Sequence, residues 1–335
     1  MHFPLIIEKA LTMPEYFWHP SVVYVPDGFG GHNWWMAQTP FPPCSIEPYR
    51  DRYEIPCIHY SDDGITWKSI LNNPIDELTA KQIDAHDYFS DPHLIYKNGT
   101  LELYYRLTIL KDKQPVGNKT ILYKRTSDDG FNWSPRVLIA DLRNSHDVEI
   151  WGEQIISPAI IWNGHYYQCW YVDASKFIEK RNIRTVTSTD GLLWTANRIC
   201  EQNLDITTPW HLDVQFWDGL YRMVLYNDKS NDITYFESKD GYSFRFRKTL
   251  LTTNSSPFSF YFSELYRSCI VKGKGQIVSL FFSGANYISM HSFIGRLDSS
   301  DMVKWKPRGK MTFPYLLVMV DIFVTKLKRK ILKFL

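Results

Sequence analysis

From residue 15 to about residue 310 the chain alternates between short apolar runs and turns rich in Ser, Asp, Asn and Gly. The runs "LELYYRLTIL" (101–110), "HYYQCWYVDA" (165–174) and "LYRMVLYND" (220–228) are typical, being dense in aromatic and branched residues and bounded by turn formers. Runs of this length and content predict half-buried or fully buried β-strands. The turns repeat. "SDDGITW" begins at Ser61, "SDDGFNW" at Ser127, "STDGLLW" at Ser188, "SKDGYSF" at Ser238 and a degenerate "SSDMVKW" at Ser299. Each places an aromatic residue four positions after the Asp: Trp67, Trp133, Trp194, Phe244 and Trp305. Asp-Gly between two apolar runs is a hairpin signal, and the aromatic residue is expected to pack the strand that follows.

A second feature recurs upstream of each turn, an apolar strand with a polar residue at its entrance: "WHPSVVYV", "SDPHLIYK", "ISPAIIWN", "WHLDVQFW" and "YRSCIVKG". Four strands per unit and five units of about 60 residues predict an all-β fold, a five-bladed β-propeller over residues 1–312. In a propeller the first strand of each blade lines the central channel, so the five entrances meet around one mouth. His19, Asp91, Ser157, His211 and Arg267 occupy the equivalent entrance position, and His93 and Asp213 lie two residues further along their strands. Trp18, Trp151 and Trp210 flank the entrances. Polar groups that can share protons, beside aromatic faces, suit a carbohydrate: CH faces stack on rings and hydroxyls bond to charged groups. His19, Asp91, His211 and Asp213 are therefore candidate site residues. Trp18, His93, Trp151, Trp210 and Arg267 are the candidate glycan contacts.

The spacing changes at the C-terminus. In "FPYLLVMVDIFVTKLKRKILKFL" the residues Leu316, Val320, Phe323, Leu327, Ile331 and Phe334 recur three or four positions apart, which predicts a helix within residues 313–335. Lys326, Lys328, Arg329, Lys330 and Lys333 make its end strongly basic. The apolar stretch from Tyr315 to Val324, interrupted by Asp321, is too short to span a bilayer. A basic amphipathic helix of this kind is expected to lie on an anionic membrane surface, to dock a partner, or to cap the propeller.

Composition narrows the function classes. The net charge of +2 gives no electrostatic footprint for nucleic acid. Five cysteines without a C-x-x-C pair argue against a disulfide framework or a zinc knuckle. No phosphate-binding loop, dinucleotide fingerprint or nucleophile elbow is present. Neither "DAHDYFSDPH" nor "SHDVEIWGE" has metal-ligand spacing, so no metal site and no cofactor are expected, with room at most for a single structural ion in the channel. The short apolar run at the N-terminus does not read as a signal peptide. A cytoplasmic location is expected, peripheral to the inner face of the membrane if the tail attaches there.

The blade-entry Asp-Pro, the Ser-x-Asp-Gly-x-x-Trp turns and the count of five together resemble the propeller glycosidases of glycoside hydrolase families 43, 32 and 62, over residues 15–310. The resemblance implies a glycan in a channel pocket and three carboxylates: a blade-one Asp before Pro as base or nucleophile, a supporting blade-two Asp before Pro, and a blade-three Glu two residues before Pro as general acid. Asp91-Pro92 matches the second. At the first stands His19-Pro20, and at the third Ile156 precedes Ser157-Pro158. The set is incomplete, so the resemblance implies Asp91 as the retained catalytic residue, with His19, Glu153 (in "WGEQIISP"), His211 and Asp213 as the candidates to share the acid-base work. The expected function is a carbohydrate-active, glycosidase-like protein. The alternative is a catalytically inactive glycan-binding propeller serving polysaccharide or glycolipid synthesis at the membrane surface.

Overall fold

A computed structural model describes residues 2–11, 16–40, 54–111, 114–174, 181–202 and 208–331. It contains five antiparallel sheets of four strands, two of them extended by a short parallel edge strand. The innermost strands are Phe17–Phe29, Tyr88–Lys97, Ile156–Trp162, Pro209–Trp217 and Glu264–Lys272, in blades 1 to 5. Each touches the next, and the fifth returns to the first, so the sheets close into a five-bladed propeller. An N-terminal segment straps the closure. Ile6 and Ile7 pair with Thr66 and Trp67 at the rim of blade 1, while the Leu5 amide donates to Ile294 O of blade 5 at 2.8 Å.

The repeat has a local physical cause. In the first turn Ser61 Oγ accepts from the Gly64 amide at 2.9 Å, and Asp63 Oδ1 accepts from Ile65 and Thr66 at 2.7 Å each. The same pattern holds around Asp129, Asp190 and Asp240, and around Asp301 its two amide bonds recur. The short side chains thus satisfy turn amides that no strand can reach. Glycine is required because the turn docks on the neighbouring blade. A Cβ at Gly130 (φ +84°) would lie 2.2 Å from the Trp35 ring. In the degenerate fifth turn Met302 adopts the same left-handed conformation, φ +59°.

Apolar cores lie between the blades, one for each neighbouring pair. Trp67, Trp194 and Phe244 from the repeated turns are buried within them, while Trp133 and Trp305 are half-buried. Middle strands face a core on both sides, which is why Tyr167–Asp173 and Val278–Asn286 are buried along their whole length. The C-terminal helix, Phe313–Ile331, buries Tyr315, Val318 and Ile322 in the core between blades 4 and 5. Met319 packs half-buried against the same core, while Phe313, Leu316, Leu317, Val320, Phe323, Val324 and Leu327 are exposed. No helix among the described residues is long and apolar enough to cross a membrane.

Candidate active site at the channel mouth

Every inner strand is irregular at its entrance. The register shifts between Trp18 and Ser21, Ser90 and His93, Ile156 and Ala159, Pro209 and His211, and Leu265 and Ser268. In blades 1 to 3 the bulged residue before proline is left-handed: His19 (φ +52°), Asp91 (φ +51°) and Ser157 (φ +52°). Bulges re-aim side chains, and positive φ at non-glycine residues is uncommon enough to mark a site when it recurs. The re-aimed side chains meet.

Asp91 is the hub and is fully buried. Its Oδ2 accepts from Arg106 Nε at 2.6 Å and from the Ser157 amide at 3.1 Å. Its Oδ1 faces His211 Nδ1 at 3.3 Å, Arg267 Nη1 at 3.4 Å and His19 Nε2 at 3.6 Å. On its far side the His19 ring places Nδ1 2.7 Å from Thr39 Oγ1 and 3.3 Å from Glu54 Oε2. Burial alone would raise the Asp91 carboxyl, but Arg106, His211 and His19 hold it well below the usual carboxylate range. His19 is driven well below the ordinary histidine value by burial, against the pull of Asp91, and His211 is lowered for the same reason. Both rings are therefore neutral near pH 7.

Glu54 behaves in the opposite sense. Burial first, and the Asp91 charge second, push its carboxyl from 4.5 up to about 8. It carries a proton at neutrality, as a general acid must. Glu54 and His19 line a pocket together with Trp18, Glu264 and Tyr266. Burial raises the Glu264 carboxyl as well, to about 7. Tyr266 packs edge-on against His211 and tilted against His19, and its hydroxyl accepts from Trp210 Nε1 at 3.0 Å.

The entrance residues of four blades, His19, Asp91, His211 and Arg267, thus converge in one cluster, and Trp18 lines the pocket above them. His93 and Asp213 lie one layer deeper, His93 Nδ1 3.8 Å from Asp213 Oδ1. Burial lowers His93 to about 3 and raises Asp213 to about 6, and Asp213 Oδ2 accepts the Ile270 amide at 3.0 Å. Trp210 reaches the mouth through Tyr266 and also stacks under Arg181. Trp151 is placed differently from the sequence expectation. It is fully buried against Tyr171 and Trp194, its carbonyl accepting from Tyr171 Oη, so it is core between blades 2 and 3 and offers no face to a glycan. Glu153 is half-buried in the segment just after the short helix Ser145–Trp151, and does not line the pocket.

Four participants escaped the sequence reading: Glu54, Arg106, Glu264 and Tyr266. Arg106 had a signal, a lone cation in the apolar run "LELYYRLTIL". Tyr266 adjoins Arg267 at the fifth entrance. Glu54 lies outside the repeated motifs and is brought to His19 by the path of the chain.

The ligand atoms of His19, Asp91 and His211 all lie within 4.8 Å of one another, close enough for these three side chains to hold a metal ion. As it stands the arrangement offers two neutral imidazoles, an ionised carboxylate and a protonated one, beneath an aromatic-walled opening.

No family model matches the chain and no curated protein matches it significantly. Among solved structures, an N-acetylgalactosamine deacetylase from F. plautii in complex with blood group B trisaccharide is similar at 18% identity, covering 85% of this chain and 84% of that one, with a TM-score of 0.64. A GH43_1 enzyme from Xanthomonas citri complexed with xylose is similar at 13% identity over 92% and 94%, TM-score 0.60. A GH43 β-xylosidase/α-arabinofuranosidase from a compost metagenome is similar at 14% identity over 92% and 99%, TM-score 0.61. The chain shares its overall fold, the five-bladed propeller, with these structures.

Proposed function

We propose that the protein is a carbohydrate-active hydrolase that takes a glycan into the pocket at the channel mouth. The observation that carries this reading is the junction of a buried ionic cluster with an aromatic-walled opening. Asp91 is ionised and fixed below, Glu54 is protonated beside it, and Trp18 and Tyr266 offer faces for a sugar ring. The volume of about 180 Å³ is small for a ligand pocket and suits one terminal sugar unit rather than an internal stretch of chain. The similar solved structures include enzymes complexed with xylose and with a blood group trisaccharide, which supports a glycan as the substrate class.

Two bonds could be cut. Glycosidic hydrolysis needs two carboxyl groups flanking one bond, and blades 1 and 3 supply His19 and Ile156 where the resemblance expects carboxylates. That substitution favours a second reading, removal of an acyl group carried by the sugar, and one similar solved structure is a deacetylase. A panel of nitrophenyl glycosides and of N- and O-acetylated oligosaccharides, analysed for free sugar and free acetate, distinguishes the two. Glu54→Gln should abolish whichever activity is found, and Trp18→Ala should weaken substrate binding by about 1–3 kcal/mol. Binding without release of either product would leave a glycan-binding propeller.

The exposed apolar face of the C-terminal helix supports peripheral attachment to an anionic membrane. One face, through Tyr315, Val318 and Ile322, is already used in docking to the propeller. The opposite face presents Leu316, Val320, Phe323 and Leu327, with exposed Lys326 and Lys328 nearby. Insertion of apolar side chains beside lysines is the mode by which such helices bind anionic lipid.

A further inference from the structure

The two histidines facing Asp91 raise a question of charge. His19 Nδ1 is engaged with Thr39 Oγ1 at 2.7 Å, and its Nε2 points to Asp91 Oδ1. His211 is almost wholly buried, yet neither of its ring nitrogens makes a hydrogen bond of good geometry. Two imidazole nitrogens thus converge on one carboxylate oxygen from blades 1 and 4. Where these nitrogens present lone pairs, something positive belongs between them and the oxygen.

We propose that His19, Asp91 and His211 form a binding site for a first-row divalent transition-metal ion, with open coordination positions toward the pocket. The spacing fits. Ligands about 2.0–2.2 Å from an ion stand roughly 3–3.5 Å apart in tetrahedral or octahedral geometry. The separations from Asp91 Oδ1 are 3.3 Å and 3.6 Å. Two imidazoles with one carboxylate suit Mn, Fe, Co, Ni or Zn, whereas Ca and Mg prefer all-oxygen sites. The supporting contacts are those of a metal centre: Thr39 orients the His19 ring, and Arg106 with the Ser157 amide hold Oδ2 so that Oδ1 is presented. Arg267 Nη1, 3.4 Å from Asp91 Oδ1, would oppose the cation. Its contact with Oδ1 is long. For its chemistry this inference rests on the hydrolase reading, to which a bound ion would add an activated water. Binding itself is tested without turnover.

Full-length protein is stripped with a chelator and titrated calorimetrically with Zn²⁺, Mn²⁺, Co²⁺ and Ca²⁺, and the Co²⁺ form is followed by visible absorption. We expect one transition ion per chain, no comparable Ca²⁺ binding, and a Co²⁺ spectrum indicating nitrogen and oxygen ligands. His19→Gln and His211→Gln should each weaken the Kd by more than about 100-fold, and Thr39→Val by about 10–100-fold as a supporting partner. Circular dichroism checks that each variant is folded, and the Co²⁺ spectrum of the wild type stands independently of them. Stoichiometry well below one, Ca²⁺ bound in preference, or binding unchanged in both histidine variants overturns the site. A bound ion with no release of sugar or acetate would leave the site standing and refute the hydrolase.

Discussion

The elevated Glu54 carboxyl can be tested by stability alone, without knowing a substrate. In the folded protein it titrates at about 8, against 4.5 for an ordinary glutamate. A group whose folded pKa is raised binds more protons folded than unfolded over that interval. Its contribution is therefore fully present below about pH 4.5 and is lost as the pH rises to about 8, levelling off above. At 1.36 kcal/mol per unit the full shift corresponds to an upper bound of about 5 kcal/mol. Relaxation around a charge in a real interior reduces this, and about 2–3 kcal/mol is the working expectation. Glu54→Gln keeps the shape and removes the titration. Urea unfolding of both proteins at half-unit steps from pH 5 to pH 9, with chelator present, gives the difference in stability directly. The variant should gain on the wild type by roughly 2 kcal/mol between pH 5 and pH 8 and hold a constant lead beyond. Asp91 and the histidines are common to both proteins, so their titrations largely cancel. Curves parallel across the whole range would mean that Glu54 ionises normally, and its assignment as the proton-bearing acid would fail with them.

Three further outcomes follow from the geometry. Asp91→Asn should destabilise the fold by about 3–5 kcal/mol in urea unfolding, because buried Arg106 and Arg267 lose the charge they face. In the wild type that contribution is present above about pH 4, the unfolded value, and is lost as the pH falls. Gly130→Ala should cost more than about 2 kcal/mol and lower the melting temperature, since the added Cβ meets the Trp35 ring at 2.2 Å and the residue is left-handed. Leu316→Glu with Phe323→Glu should leave stability unchanged, both side chains being exposed, yet abolish sedimentation with phosphatidylserine vesicles at low salt. Equal sedimentation of the variant and wild type would refute membrane seating of this face. Deleting the helix is the poorer test, because it removes Tyr315, Val318 and Ile322 from the core of blades 4 and 5.

What could be read from the sequence was whatever the chain arranges within a few residues. The Ser-x-Asp turns are closed by bonds spanning two or three positions, so their five recurrences, the strands between them and the blade count were legible. Propeller topology then carried His19, Asp91, His211 and Arg267 to one mouth, since equivalent positions in equivalent blades must meet. The helical spacing of the tail was legible too, but its orientation was not. Two apolar faces compete in that helix, and only the docking of Tyr315, Val318 and Ile322 decides which remains outside. Tertiary structure also decided the chemistry of the site. Glu54 and Arg106 lie outside the equivalent entrance positions: strand pairing within blade 2 sets Arg106 opposite Ser90 and so beside Asp91, and the path of the chain within blade 1 brings Glu54 to His19. Trp151 sits beside the entrance of blade 3 in sequence yet turns into the core, because that same blade offers Trp194 and Tyr171 to pack against. The protonation states were decided last. A glutamate is acidic in any sequence, and it holds a proton at neutral pH here only because burial removes its water and Asp91 already bears the negative charge.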